Sequence, residues 1–397
     1  MFTRRSMMMA AASAFVLSAA GPAAAEDAIK IGNTMPYSGP ASAYGQIGKT
    51  IEAYFNKLNA DGGVEGRKIE FISYDDAYSP PKAVEQVRRL IEQDEVDILF
   101  QNLGTPSNTA IQKYVNAKKV PHLFLATGAA KWNMPDKFPM TTGWQPSYQT
   151  EGSIYAKYIE ENVENPKIAI LYQNDDFGKD YVIGLKEQLG ERADQLIVAE
   201  APYEVAQPTV DSEVLSLKAS GANVFFIVAT PKFAAQAIKK SHEIGWEAER
   251  FLSNVSVSVG AVLKPAGFEA SKGVISAAYL KEATDPQWAD DPAMKEWRAF
   301  MDEWYPDGDQ ASSFTVFGYG VAKTMEHVLQ AAGPDADAQA ILKAATSMDH
   351  VENPMLLPGI TMTTGPNDFA PIEAMQLQRF NGETWELFGD IIHAESS

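Results

Sequence analysis

Apolar positions along this chain follow two alternating rhythms: short blocks of four to six residues, and longer stretches near a period of about 3.6. Residues 28–33 alternate toward a short strand. Residues 43–60 read as a helix whose Ile47, Ile51, Tyr54, Phe55 and Leu58 share a face, stopped by Asp61-Gly62-Gly63. The same alternation predicts strands at 68–74, 96–100 and 120–125 and helices at 80–93 and 105–117. It pauses over 132–143, a stretch rich in Pro, Met and Trp, and then resumes. Helices are expected at 149–161, 178–189, 210–219 and 232–244, and strands at 167–172, 195–199, 223–228, 250–252 and 273–278. Three helices follow, at about 292–304, 313–332 and 336–345. The tail changes character: residues 375–380 and 384–388 flank Asn381-Gly382, a hairpin signal.

Regular strand–helix alternation implies parallel sheets covered by helices on both faces. The strands are too many for one comfortable open sheet, and the pause near Gly143 splits them into two similar sets. The expected fold is therefore α/β, with two doubly wound parallel-sheet lobes. In such sheets, ligands bind beyond the carboxyl ends of the strands.

Three of those strand ends carry small or hydroxylic turns. Met35-Pro36-Tyr37-Ser38-Gly39, with Tyr44 beyond it, follows the first strand. Leu103-Gly104-Thr105 follows the third, and Ala126-Thr127-Gly128 follows the fourth. Free N–H groups of a first helical turn, with Ser or Thr hydroxyls, can hold a carboxylate without a buried cation. Each turn taken singly also reads as plain capping; three in one lobe point to a shared site.

Charge narrows the partners. The 397 residues carry 33 Lys and Arg against 52 Asp and Glu, a formal charge of −19, and contain no Cys. Nucleic acid is excluded as a natural partner, since neutralising phosphates needs clustered cations. Thiol catalysis, Cys-zinc sites and iron–sulfur clusters are excluded with the cysteines. Residues 1–25 are a different text: Arg4-Arg5, an apolar run of about 15 residues, then Ala23-Ala24-Ala25. That is the pattern of a cleaved secretory signal, short of the roughly 20 apolar residues a membrane span needs. Thr3-Arg4-Arg5-Ser6 resembles a twin-arginine export signal, although adjacent arginines also occur in ordinary ones. A periplasmic location in a bacterium is the expectation.

Ile29-Lys30-Ile31-Gly32 leading into Pro36-Tyr37-Ser38-Gly39-Pro40, then Tyr44-Gly45, opens a longer resemblance. It continues through Asn59-Ala60-Asp61-Gly62-Gly63-Val64-Glu65-Gly66-Arg67 and Tyr74-Asp75-Asp76 to Lys167-Ile168-Ala169-Ile170-Leu171 and Asp176-Phe177-Gly178. In this order the chain resembles the Leu/Ile/Val-binding branch of the periplasmic substrate-binding proteins of ATP-driven (ABC) importers. The resemblance implies two lobes joined by three crossings and closing on a small-molecule ligand, with an inner-membrane permease as partner. It implies a monomer, with no catalysis, cofactor or metal. It divides the chain into one lobe of residues 26–142 and 279–370 and a second of 143–278 and 371–397. The ligand carboxylate would be held by Leu103, Gly104 and Thr105 with Ala126, Thr127 and Gly128, under the ring of Tyr44. Tyr37 and Ser38 join them from the first turn.

In the second lobe the chain departs from the family. The acidic residue expected for a ligand ammonium falls near Asn254-Val255-Ser256, with no carboxylate. The expected tyrosines fall at Ala229-Thr230 and at Phe177. The family's disulfide is replaced by Tyr78 and Leu103. Trp144, Tyr148 and Phe177 form either an apolar wall or hinge packing. The expected ligand thus has a carboxylate and an apolar or aromatic body: an aromatic acid, another small organic acid or an amide. A standard branched-chain amino acid stays open if Glu243, Glu247 or Glu249 reaches the cleft. A sensory subunit that hands its liganded state to a membrane receptor is a further alternative.

Enzyme motifs do not assemble. There is no Gly-x-Ser-x-Gly elbow and no P-loop, and the five His are scattered without metal-ligand spacing. The pairs Asp75-Asp76, Asp175-Asp176 and Asp290-Asp291 read as strand-end caps and solvated turns. An exported hydrolase of doubly wound fold is the remote alternative.

Overall fold

The computed structural model describes residues 28–394, so the candidate export signal lies outside the described residues. Five parallel strands form the first sheet: β1 (Ile29–Met35), β2 (Ile69–Asp75), β3 (Ile98–Phe100), β4 (His122–Leu125) and β5 (Thr141–Gly143), in the order β2-β1-β3-β4-β5. The second sheet has seven: β6 (Ile168–Gln173), β7 (Ile197–Tyr203), β8 (Val224–Val228), β9 (Glu249–Leu252), β10 (Ile275–Ala278), β11 (Ala374–Phe380) and β12 (Trp385–His393). Its order is β12-β11-β10-β9-β8-β6-β7, so the arrangement of the first sheet recurs and is extended by the hairpin β11–β12. In both sheets the strand order reverses beside the first strand, between β1 and β3 and between β6 and β8. That crevice is where an open α/β sheet offers a ligand site.

Central strands β3 and β8 are apolar throughout, β4 is apolar but for His122, and all three are buried at every position, as strands covered on both faces must be. Most expected elements sit within a few residues of their observed ends. Strand β5 was not expected; it lies at the end of the 132–143 pause. Three residues, Thr-Thr-Gly, are too short to show a period, and they join the sheet because their side chains find partners there. Thr142 Oγ1 accepts the Phe124 amide at 2.9 Å, and Asn116 Nδ2 donates to Thr141 Oγ1 at 2.8 Å.

The hairpin turn at Asn381-Gly382 is wider than two residues. Phe380 pairs with Trp385, and Asn381 Oδ1 accepts the amides of Glu383 and Thr384 at 2.8 and 3.0 Å, while Gly382 takes φ 108°. The Asn side chain thus substitutes for backbone bonds across a longer loop.

Helices Pro292–Trp304 and Ser313–Ala332 return to the first sheet. They pack on helix Gly45–Ala60 through Tyr54, whose ring lies 5.8 Å from Phe300 and 5.1 Å from Tyr319. His122 is fully buried in β4 with no partner on either ring nitrogen, and burial lowers its pKa to about 3, so it is a neutral core residue. Among the described residues no helix is long and apolar enough to cross a membrane, and no three metal-ligating side chains cluster.

Candidate functional site

A cavity lies between the two sheets, with about 850 Å³ of empty space, its open mouth included. Tyr44, Tyr78, Leu103, Gly104, Thr105 and Ala126 line it from the first sheet's side, and Phe177, Thr230, Asn254, Val255 and Val257 from the second's. Gln145, Tyr148 and residues 277–282 line it from the connecting segments, and Phe314 and Phe317 from helix Ser313–Ala332. The lining follows the carboxyl ends of β1, β3, β4, β6, β8, β9 and β10.

At the first sheet, helix Thr105–Lys118 starts directly after β3 and points its N-terminus into the cavity wall. Gly104 precedes it at φ 98°, and a Cβ there would come within 2.6 Å of the Tyr78 ring, so only glycine suits the position. Asn108 N donates back to Gly104 O at 3.0 Å and Pro106 has no N–H, which leaves the amides of Thr105 and Ser107 as first-turn donors. Thr105 Oγ1 and Thr127 Oγ1 share a 2.6 Å bond. Thr127 Oγ1 also accepts from Trp132 Nε1 at 3.2 Å and from Ala129 N at 3.4 Å. Either hydroxyl can donate in that bond; with Thr127 as donor, its lone pairs turned to Trp132 and Ala129, the Thr105 proton is left for the cavity. Donors therefore dominate this end, and no cation is needed to attract an anion.

Aromatic rings enclose the middle. Tyr44 meets Phe314 edge-on at 5.0 Å, and Tyr148 contacts Phe177 at 5.1 Å and stacks on Tyr181 at 4.9 Å. Gly128 permits this closure: a Cβ there would lie 2.9 Å from the Tyr148 ring and 2.4 Å from Pro146 O.

The second sheet's side is neutral at its surface. Thr230 N donates to Tyr203 Oη at 3.0 Å, Tyr203 donates to Gln173 Oε1 at 3.1 Å, and Gln173 Nε2 reaches Tyr78 Oη across the lobes at 3.3 Å. Asn254 faces the cavity, but behind it stands a buried carboxylate that sequence reasoning missed, Glu151. It sits on the inward stripe of helix Tyr148–Asn162 with Tyr148, Tyr155 and Ile159, and an acid on an otherwise buried stripe was the available signal. Glu282 was also missed. It lines the cavity four residues beyond β10, accepts from the Thr284 amide and hydroxyl at 3.0 and 2.9 Å, and burial pushes its carboxyl up to about 7. Its neighbour Lys281 is held by Asp291 at 2.8 Å. Applying the strand-end rule to the last parallel strand would have found both.

Five expected residues stand off the lining. Tyr37 turns away to bond Ser73 at 2.6 Å, and Ser38 is exposed and bonds Asp75 Oδ2 at 2.5 Å. Trp144 is fully buried behind Phe317, at 4.9 Å between rings, with Nε1 on Thr324 Oγ1 at 3.1 Å. It packs behind the wall, against the lining rings of Phe317 and Tyr279, and forms no part of the lining itself. Thr127 and Gly128 lie one layer back and act through Thr105 and Tyr148. Nor do the three acids considered for the second lobe reach the lining: Glu249 faces Arg379 at 3.6 Å, Glu243 faces Lys239 at 3.9 Å, and Glu247 is exposed.

Comparison with known proteins agrees with this architecture. The family described as Periplasmic binding protein matches residues 28–384. A Leu/Ile/Val-binding protein homolog 1 of Brucella abortus is 24% identical over 352 residues, covering 86% of this chain and 88% of that protein. A branched chain amino acid ABC transporter structure from Thermus thermophilus with bound valine superposes with a TM-score of 0.82 at 14% identity, over 93% of this chain and 97% of that one. An ABC transporter solute binding protein from Rhodopseudomonas palustris BisB5, in complex with 3,4-dihydroxy benzoic acid, gives 0.78 at 21% identity, over 93% and 98%. The two-sheet architecture, the recurring strand order and a family match across nearly all of the described chain have one meaning: this protein belongs to the periplasmic binding proteins, of the Leu/Ile/Val-binding kind.

Proposed function

We propose that this protein is the periplasmic solute-binding component of an ATP-driven importer. Its ligand is a small carboxylate with an apolar or aromatic body, bound as the two lobes close and then handed to an inner-membrane permease. The lobes are those of residues 26–142 with 279–370 and 143–278 with 371–397. The observation that carries the reading is the cavity's polarity: donors from Thr105 and the first turn of its helix at one end, and rings of Tyr44, Phe314, Tyr148 and Phe177 around the middle. The carboxylate sits against Gly104, Thr105 and Ala126. The body gains about 25 cal/mol per Å² buried, with ring contacts in addition. A structural relative holding 3,4-dihydroxy benzoic acid supports a ligand of this type.

Glu282 favours a second reading, an α-amino acid whose ammonium lies on that carboxylate, and the relative with bound valine is consistent with it. A thermal-shift panel separates the two. Phenyl-substituted amine-free acids should stabilise more than their α-amino analogues; at a hundred times its dissociation constant a ligand adds about 2.7 kcal/mol. A melting shift with leucine, isoleucine or valine and none with any amine-free acid would select the amino acid. The stabilising ligand should also shrink the radius of gyration in solution scattering, and an unchanged radius would rule out binding by closure.

A further inference from the structure

Glu151 is fully buried in the second lobe and accepts four hydrogen bonds. Oε1 takes Tyr155 Oη at 2.6 Å and Asn254 N at 2.8 Å; Oε2 takes Tyr181 Oη at 2.7 Å and Asn254 Nδ2 at 2.5 Å. Tyr155 is itself held, its oxygen accepting the Ala277 amide at 2.8 Å. A carboxylate only accepts, whereas an Asn amide has a donor end and an acceptor end. Ionised Glu151 therefore forces the Asn254 amide group to present its NH₂ inward. The opposite end, Oδ1, has no partner among the described residues, and Asn254 lines the cavity.

We propose that Glu151 is a positioning residue that locks Asn254 with its carbonyl oxygen toward the cleft, so that the second lobe selects a ligand bearing a hydrogen-bond donor on its body. A hydroxyl, an amino group or an amide N–H would satisfy that oxygen; an ether or a ketone would not. This rests on the cleft being the ligand site. Burial raises the Glu151 carboxyl to about 7 even with these donors lowering it, so the lock is set in the ionised form, which its place in the first turn of helix Tyr148–Asn162 also favours. The device separates charge from contact: the carboxylate never reaches the ligand, yet it decides which end of a neutral amide does.

Glu151→Gln tests it, because a Gln side chain can donate where Glu accepts. The Asn254 amide should then turn over and present its NH₂ to the cleft. In unliganded, ¹⁵N-Asn-labelled protein, the Asn254 side-chain resonances, identified by their loss in Asn254→Ala, should exchange slowly with water in the wild type and rapidly in Glu151→Gln. Glu151→Asp, still a pure acceptor, should retain slow exchange. Among probes, the wild type should bind 4-aminobenzoate several-fold more tightly than 4-methoxybenzoate, with 4-methylbenzoate as the reference, and Glu151→Gln should reverse that order. Rapid exchange in the wild type would overturn the proposal even if Glu151→Gln fails to fold. So would an unchanged amino-to-methoxy ratio in folded Glu151→Gln. If no benzoate binds any variant while the exchange rates differ as expected, the positioning role stands and the aromatic-acid reading falls.

Discussion

The two faces of the cleft solve opposite problems with different materials. The first sheet's face presents donors drawn from backbone and hydroxyls: the first turn of the helix at Thr105, and a relay running from Trp132 through Thr127 to the Thr105 hydroxyl. The second face and the connecting segment present acceptors backed by carboxylates, Asn254 Oδ1 over Glu151, and Glu282 itself. Backbone donors are held by the helix and cost no buried charge, whereas both carboxylates carry a desolvation penalty that pushes them up to about 7. The donor face can therefore be built rigid and neutral. The acceptor face keeps its charge only while enough donors surround it. A ligand of the proposed kind would meet a fixed polarity here, with one orientation in which both its ends are satisfied.

The largest expected effect tests the cost on the acceptor side. An unfolded Glu ionises near 4.5 and Glu282 in the folded protein near 7, so the native state binds more protons between those values. Stability from this group is full below 4.5 and is lost as pH rises through 7. Glu282→Gln keeps an oxygen for Thr284 and removes the charge. It should match the wild type at pH 4 and exceed it at pH 8 by on the order of 3 kcal/mol at most, measured by denaturant titration. A pH slope from Glu151 should remain. Identical profiles for both proteins would mean that cleft water solvates Glu282 fully.

Next comes the donor face itself. Thr105→Val removes a hydroxyl bond to a charged group, roughly 1.5–3 kcal/mol, and should weaken a carboxylate ligand on the order of tenfold or more without unfolding the protein. Calorimetry showing undiminished affinity would take Thr105 out of the site. A smaller effect sharpens the relay. Trp132→Phe frees a lone pair on Thr127 and loosens the direction of its proton, at about 0.5–1.5 kcal/mol in affinity. Because Trp132 acts through Thr105, the same change made in the Thr105→Val background should cost little more. Simple additivity would show that Trp132 acts by packing alone.

Much of this site was legible from turn chemistry. Leu103, Gly104, Thr105 and Ala126 sit on the cavity because a turn after a central parallel strand must emerge at the switch point, wherever the rest of the chain goes. Tyr37 and Ser38 satisfy the same rule in sequence yet turn to Ser73 and Asp75, since β2 runs beside β1 and offers closer partners. Trp144 showed the limit of reading aromatics near a junction: its composition fits a wall and a hinge equally well.

By itself the sequence determined the order and kind of nearly every element, because the period of apolar positions records which face of each segment is buried. It also located the two turns that supply donors, because Gly104 and the residues after it specify a helix start locally. Only the tertiary structure decided what meets what. Glu151 and Asn254 are 103 residues apart and are brought together by a helix packed on the face of the second sheet, over β8 and β9. Glu282 reaches the cleft through a connecting segment with no period of its own. Local patterning specifies burial, not partnership, and the polarity of the acceptor face depends on partnership: a neutral Asn takes its direction from a carboxylate that no neighbouring residue announces.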